Sequence, residues 1–442
     1  MLKILGTTTL AGVVAFAGAA AAQEGPFAPY AGTTLVVNFP AHPHYNAVME
    51  VLPEFTAQTG IDVEVDMLPY LDMRERQTLE LTLDEGAYDL ISYVVFSKAD
   101  YVYADQIYNL APFFMNPRLV DPTYDAGDLI DGYVQNIGVA GGEKGYLPGP
   151  TGSLYGLPFG SETSVLYYRT DIFEKHGLEA PGTYDEFLDL ACRIPEMEPG
   201  MGGVASRAAS GHQASHAFLL HLAPLGGRIF DDAWEPTINS PEGVAAAEAL
   251  RTIVDCGPEG SSAFGPSEAA NAFAQGQAAM FLDSIAFAGT FEDESRSTVA
   301  GNVGWAPHPV GVRAASQTGG FGLAIPRNAE NPDAAFLLMQ WLTSREGDLM
   351  VAMAGGNPSR FSTYQDPDLN ARYPWSATFG EALADADPDW RPIIPPWGRI
   401  NADIGTTMSQ VLTEGLDIQT ALDGIAERTR ALMEEEGYYV WQ

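Results

Sequence analysis

An α/β protein of two lobes is the architecture that the sequence predicts, and three observations predict it. The chain has 442 residues, too many for one hydrophobic core at roughly 100–200 residues per domain. Its N-terminal part alternates short apolar strands with helical segments. The stretch from Leu154 to Leu178, LYGLPFGSETSVLYYRTDIFEKHGL, sends an apolar segment through a polar bridge, Gly160 to Ser164, into a second apolar run and then a helix that stops at Gly177. A strand that leaves one sheet for another must cross the space between them. Small and hydroxylic residues at that bend put backbone amides and Glu162 where a ligand can sit. An ordinary loop between two strands of one sheet accounts for these residues equally well.

Composition bounds the partners. Hydrophobic residues make up 46% of the chain and aromatics 11%, as in a globular protein, and no internal apolar run has the length of a membrane span. The formal charge of −36, with lysine only at Lys3, Lys98, Lys144 and Lys175, excludes the basic footprint that nucleic acid requires. A cationic ligand is slightly favoured, although a local arginine overrides the global field. At the N-terminus, Lys3 is followed by the largely apolar Ile4 to Phe16 and by Ala20-Ala21-Ala22. This is the pattern of an export signal, residues 1–22, cleaved before Gln23 to release a soluble chain. With no cysteine near that site, a lipid anchor is not expected. The two cysteines, Cys192 and Cys256, are then candidates for a disulfide, with two buried thiols as the alternative.

The elements follow in order. Leu35 to Phe39 reads as a strand; Tyr45 to Thr59 places Val48, Leu52 and Phe55 at helical spacing and ends at Gly60; Ile61, Val63, Val65 and Met67 alternate as a strand does. A helix over 73–83 and a strand over 89–96 continue the pattern, which implies parallel pairing with right-handed crossovers. Ligands bind beyond the carboxyl ends of such strands, so the loop with His42, His44 and Tyr45 and the loop with Ser97, Lys98 and Asp100 point at one crevice. No glycine fingerprint follows the first strand, which argues against a dinucleotide, and no cofactor is expected. Farther on, Thr183 with Glu186, Ser240-Pro241 and Asn331-Pro332 each open a helix. Ile418, Leu422, Ile425, Thr429 and Leu432 trace one face of a last helix closed by Gly437. Glu434, Glu435 and Glu436 sit on its final turn, where the helix dipole disfavours them. Segments 138–158 and 388–397, rich in Gly or Pro, read as loops.

Catalytic signatures are missing: there is no G-x-S-x-G elbow, no H-E-x-x-H and no C-x-x-C. His212 and His216, four apart, with His221 nearby, read as a polar helix face rather than a metal site. Tyr167-Tyr168 has the form of an iron-binding pair, but strand alternation sends one of the two into the core.

Five stretches, in this order and spacing, resemble the bacterial extracellular solute-binding proteins of carbohydrate ABC transporters, and among them the sugar and polyol binders. They are YGLPFGSETSVLYYRTDIFEKHGLEAPGTYDEF, GGRIFDDAWEPTINSPEGVAAAEAL, AFAQGQAAMFLDSIAFAGTF, GFGLAIPRNAENPDAAFLLMQWLTSREG and ALDGIAERTRALMEEEGYY. The resemblance implies a two-lobed periplasmic binding protein fold of the class II type, with discontinuous lobes joined by hinge crossovers. Residues 23–158 and 314–362 would form the N-terminal lobe, and 159–313 and 363–442 the C-terminal lobe. It further implies a monomeric periplasmic protein, not an enzyme, that closes on a sugar or polyol and delivers it to permease subunits. A sugar offers apolar faces and many hydroxyls, so its site needs aromatic planes and charged or amide groups.

By position in the family motifs, Glu162 and Asp283 are expected to hold hydroxyls, Arg360 to face the cleft and Trp397 to stack on a sugar face. Asp283 and Trp397 would carry most of the affinity. His44, Tyr45 and Lys98 join them from the strand-end loops. Each has a structural alternative: a solvent-facing bridge residue, a turn cap, an ion pair, a core ring. One departure is that polyol binders tend to have tryptophans where this chain has Gly319-Gly320-Phe321, so Phe321 is the platform or there is none. Two other readings remain: a binder of a cationic solute such as a polyamine or betaine, and a secreted glycan-degrading enzyme with Glu162 and Asp283 as acid and base.

Overall fold

The structure, a computed structural model, describes residues 25–141 and 152–439. The expected export signal lies outside them. Strands β1 (Thr34–Pro40), β2 (Asp62–Leu68) and β3 (Leu90–Val94) pair in parallel, with helices α1 (Pro43–Thr59) and α2 (Tyr70–Glu80) between them. Gly60 caps α1 in the left-handed conformation, as its place after the last apolar position requires. Strand β4 (Leu157–Glu162) lies at the far edge of this first sheet. A single residue, Thr163, separates it from β5 (Ser164–Arg169), which belongs to a second sheet.

Strands β6 (Gly202–Ala205), β7 (Ala278–Ser284) and β8 (Val303–Pro307) complete that second sheet in the order β8-β5-β7-β6. The chain then returns through residues 308–318 to β9 (Gly319–Ala324), which inserts between β3 and β4 to give β2-β1-β3-β9-β4. Gly320 makes this return possible. Its φ is +96°, and a Cβ there would stand 2.2 Å from the Gly160 carbonyl oxygen on the neighbouring strand. The β9–β4 register shifts at the same place.

Helices α3 (Tyr184–Met197) and α5 (Pro241–Asp255) pack on β6 of the second sheet, and α4 (His212–Leu222) packs on α5. Thr183 and Glu186 form the expected capping box of α3, and Ser240 caps α5. Helix α6 (Pro332–Leu342) packs in the first lobe's core. Helix α7 (Ser376–Ala384) lies against β8, while α8 (Trp397–Thr413) and α9 (Ile418–Glu435) pack on α4 and α5. The acidic last turn of α9 finds its counter-charge in Arg399 of α8, within 3.4 Å of Glu435 and 3.3 Å of Glu436. Exposed pairs of this kind contribute little.

Tyr167 is buried among Phe273, Phe281 and Phe291. Among the described residues no group of three or more His, Cys, Asp or Glu can hold a metal ion, and no helix is long and apolar enough to cross a membrane. Cys192 of α3 and Cys256, which follows α5, are bonded, with their Cα atoms 5.1 Å apart. The bridge closes a loop between residues 64 apart in sequence, which by the loop-entropy argument stabilises by about 4 kcal/mol. Replacing both cysteines by serine is therefore expected to lower the unfolding free energy by about that amount. Mass spectrometry of the unreduced protein should find no alkylatable thiol.

Candidate ligand-binding site

Where β1, β2 and β3 end, their loops face the second lobe. His42 caps α1, its Nδ1 accepting from the His44 amide at 3.2 Å. Tyr70 opens α2, with Arg74 one turn further on. Phe96 follows β3 and packs partly against the apolar cluster of the second lobe. The Arg74 guanidinium lies 5.2 Å from the Phe96 ring centroid and 6.0 Å from that of Tyr70, whose buried hydroxyl has no hydrogen-bond partner among the described residues.

The second lobe answers with charged groups at the ends of β6 and β7. Arg207 grips Asp283 through two parallel hydrogen bonds, Nε to Oδ2 and Nη2 to Oδ1, each 2.6 Å. The Ser284 amide adds a third at 2.7 Å. His216 of α4 stands with Nε2 3.8 Å from Asp283 Oδ1. Its Nδ1 lies 2.9 Å from Arg391 Nη2. Because a guanidinium only donates, that nitrogen is the acceptor and the imidazole is neutral. Burial and the charges of Arg207 and Arg391 indeed hold His216 well below the ordinary histidine range. Arg391 lies on the face of Trp390, 3.9 Å from the ring centroid, and the indole N–H is anchored to the Leu219 carbonyl at 3.0 Å.

Glu162 stands at the junction of both lobes. One carboxylate oxygen is 3.2 Å from His42 Nε2, and the other accepts from Ser284 Oγ at 2.8 Å. Burial alone would raise its pKa, but the hydrogen bonds from His42 and Ser284 and the charge of Arg207 outweigh it and hold it below the usual value.

The other sequence candidates fall elsewhere. Trp397 is the first residue of α8 and 3% exposed, a core ring of the second lobe rather than a cleft platform: the two preceding prolines start a helix instead of presenting a loop. Arg360 is fully buried inside the first lobe, bonded to the Thr343 and Asp125 carbonyls and to Asp128, with Tyr124 beneath it. Lys98 is also fully buried; its ammonium donates to the Asn136 and Val139 carbonyls, and burial lowers its pKa to about 7. His44 and Tyr45 point into the first lobe against Phe159, and Phe321 is buried between Tyr45 and His42. Asp283 lies at the seam as expected, but 1% exposed and engaged by Arg207. Of the eight, Glu162 and Asp283 lie in the seam.

Tyr70, Arg74, Arg207, Trp390 and Arg391 escaped the sequence reading, although Trp390-Arg391 sits in the proline-rich loop it marked, and His216, read there as part of a polar helix face, is buried in the seam. A hollow of about 770 Å³ behind Trp390, lined also by Phe230 and Arg313, takes, among the described residues, none from the first-sheet strands or the loops at their ends. Closure of the two lobes would not bury a solute there, so the seam is the better candidate.

Two α/β bodies, joined by crossing strands and presenting aromatic and charged groups to one seam, define a two-lobed binding protein. Residues 41–348 match the family described as bacterial extracellular solute-binding protein, and the chain belongs to that family. It is 28% identical over 390 residues to the mannitol-binding protein of Pseudomonas aeruginosa, covering 83% of this chain and 85% of that one. It is 25% identical over 362 residues to the erythritol/L-threitol-binding protein of Mycolicibacterium smegmatis, covering 80% and 74%. A ribitol complex of an ABC transporter solute-binding protein from Agrobacterium radiobacter superposes with a TM-score of 0.78 at 24% identity, over 91% of this chain and 99% of that one.

Two outcomes follow from the placement. Trp397→Ala is expected to cost about 3–5 kcal/mol of stability, as loss of a buried ring does, while calorimetry on the folded fraction finds ligand affinity within about threefold of wild type. Glu162, with its lowered pKa, contributes stability that is present above its ordinary value of 4.5 and lost as pH falls through the lower folded value. Acid denaturation of Glu162→Gln should lack that component.

Proposed function

We propose that this protein is the periplasmic substrate-binding component of an ABC importer, taking a sugar or polyol between its lobes and presenting the closed form to membrane permease subunits. The observation that carries the reading is the seam itself. Planar rings at Tyr70, Phe96 and Trp390 and forked donors at Arg74 and Arg391 come from both lobes, the combination that a polyhydroxylated ligand requires. The relatives that bind mannitol and erythritol or L-threitol support it. The chain acts as a monomer, exported by residues 1–22.

A polyamine or betaine is disfavoured, because Arg391, buried in the seam with no carboxylate partner among the described residues, repels a cation. Glycan hydrolysis is disfavoured as well. A general acid needs a raised pKa, whereas Glu162 is lowered and Asp283 is already paired with Arg207.

A thermal-shift screen of sugars, polyols and amines tests the reading, since a ligand at 100 times its dissociation constant adds about 2.7 kcal/mol of stability. At least one sugar or polyol should raise the melting temperature, and stabilisation by amines alone would overturn the assignment. With the best ligand at saturation, small-angle scattering is expected to give a smaller radius of gyration. Equal radii would rule out a cleft that closes.

A further inference from the structure

Among the described residues, Arg391 is a buried cation without an acid. It is 6% exposed, and among the described residues it has one hydrogen-bond partner, the neutral His216, and no carboxylate in ion-pair contact. Among the described residues its Nε has no acceptor, and the Nε2 of His216, itself 5% exposed, has none either. The other acids of the seam are already engaged: Arg207 holds Asp283 in a bidentate pair, and Glu162 lies against His42 and accepts from Ser284. Arg74 adds a further positive charge from the opposite lobe, its guanidinium lying against Phe96 and Tyr70. Burial and the neighbouring Arg207 pull Arg391 down to about 9, which still leaves it charged at neutral pH.

Holding a desolvated guanidinium beside a second arginine is costly unless a counter-charge arrives. Hydroxyl groups satisfy donors but supply no charge. A carboxylate supplies both, and its plane matches the planar guanidinium fork, which lies on the Trp390 ring.

We infer that the solute carries a carboxylate, so that the ligand is a sugar acid or polyol acid, its anionic end received by Arg391 and its hydroxyls by the rest of the seam. This rests on the sugar or polyol reading and narrows it. It also reverses the expectation from net charge, since an acidic protein of −36 would here take up an anion through a local field.

Matched pairs test it by titration calorimetry on the full mature protein: gluconate against glucitol, galacturonate against galactose, with a glucose phosphate ester as the third arm. One acid should bind at least about tenfold more tightly than its neutral partner, the equivalent of ~1.4 kcal/mol, with an advantage that shrinks as salt rises. Arg391→Gln should bring that ratio close to one. If this variant does not fold, Arg391→Lys, which keeps the charge and loses the fork, should reduce the ratio without removing it. Neutral partners binding as tightly as the acids would overturn the inference while leaving the sugar or polyol reading intact. Failure of every sugar and acid would sink both. Tighter binding of the phosphate ester, or an acid preference that persists in Arg391→Gln, would overturn the assignment of a carboxylate to Arg391.

Discussion

The whole molecule depends on the constraint that one residue spans two sheets. Thr163 is all that separates the last residue of β4 from the first of β5, so the sheets cannot be far apart at this point and Glu162 is forced into the junction. The return segment lies alongside, and hydroxyl groups tie the two together. Thr163 Oγ1 stands 2.6 Å from Ser316 Oγ and 2.9 Å from the Gln317 carbonyl. Ser164 Oγ receives the Gln317 amide at 3.1 Å and lies 2.7 Å from His308 Nδ1, whose other nitrogen meets Tyr184 Oη at 3.0 Å. Buried hydroxyls and a neutral histidine satisfy the backbone here without bulk. Two adjacent strands joined in this way can bend together while resisting shear, which is what a hinge needs.

Electrostatics in the seam follow from the same geometry. The Arg207–Asp283 pair is buried, so its attraction is largely offset by the cost of removing both charges from water. Its net worth lies in position: the bidentate fork fixes Asp283 against the Ser284 amide, and Ser284 in turn orients Glu162. Asp283 is thereby paired on the β5–β7 side, while Arg391 has no carboxylate partner among the described residues. The burden falls on one residue, held on a Trp390 ring that is itself anchored to the backbone of α4.

Much of the fold was legible because its signals are local. Val48, Leu52 and Phe55 face one core from α1, the Thr183–Glu186 box opens α3, and the apolar, polar, apolar order around Thr163 marks a crossing between sheets. The site was far less legible because its chemistry is set by partners distant in the chain. Asp283 ends an apolar run and looks like a free acceptor, yet Arg207, 76 positions earlier, occupies it. Arg360 follows a Gly-Asn-Pro turn, as a ligand contact would, yet the carbonyls of Asp125 and Thr343 and the Asp128 carboxylate claim its donors. Trp397 fails for the opposite reason: a proline before it signals a loop and a helix N-terminus equally well, and burial decides between them.

The placement of the seam histidines and of Trp390 is inherited from a contact that sequence periodicity cannot show. Helix α8 approaches the start of α4 so closely that a Cβ on Gly405 would fall 1.8 Å from the carbonyl oxygen of Gly211. Gly211, with φ +78°, is the residue from which α4 begins. This glycine-to-glycine approach fixes where α4 starts and therefore where His212 and His216 stand along it. One turn beyond His216, Leu219 and Leu220 bind the Trp390 indole and the Tyr184 hydroxyl through their carbonyls. Any side chain at Gly405 would shift α4 as a rigid unit and carry with it the histidine, the ring and the guanidinium resting on it. The geometry of Arg391 is thus a property of helix packing behind the seam as much as of the residues within it.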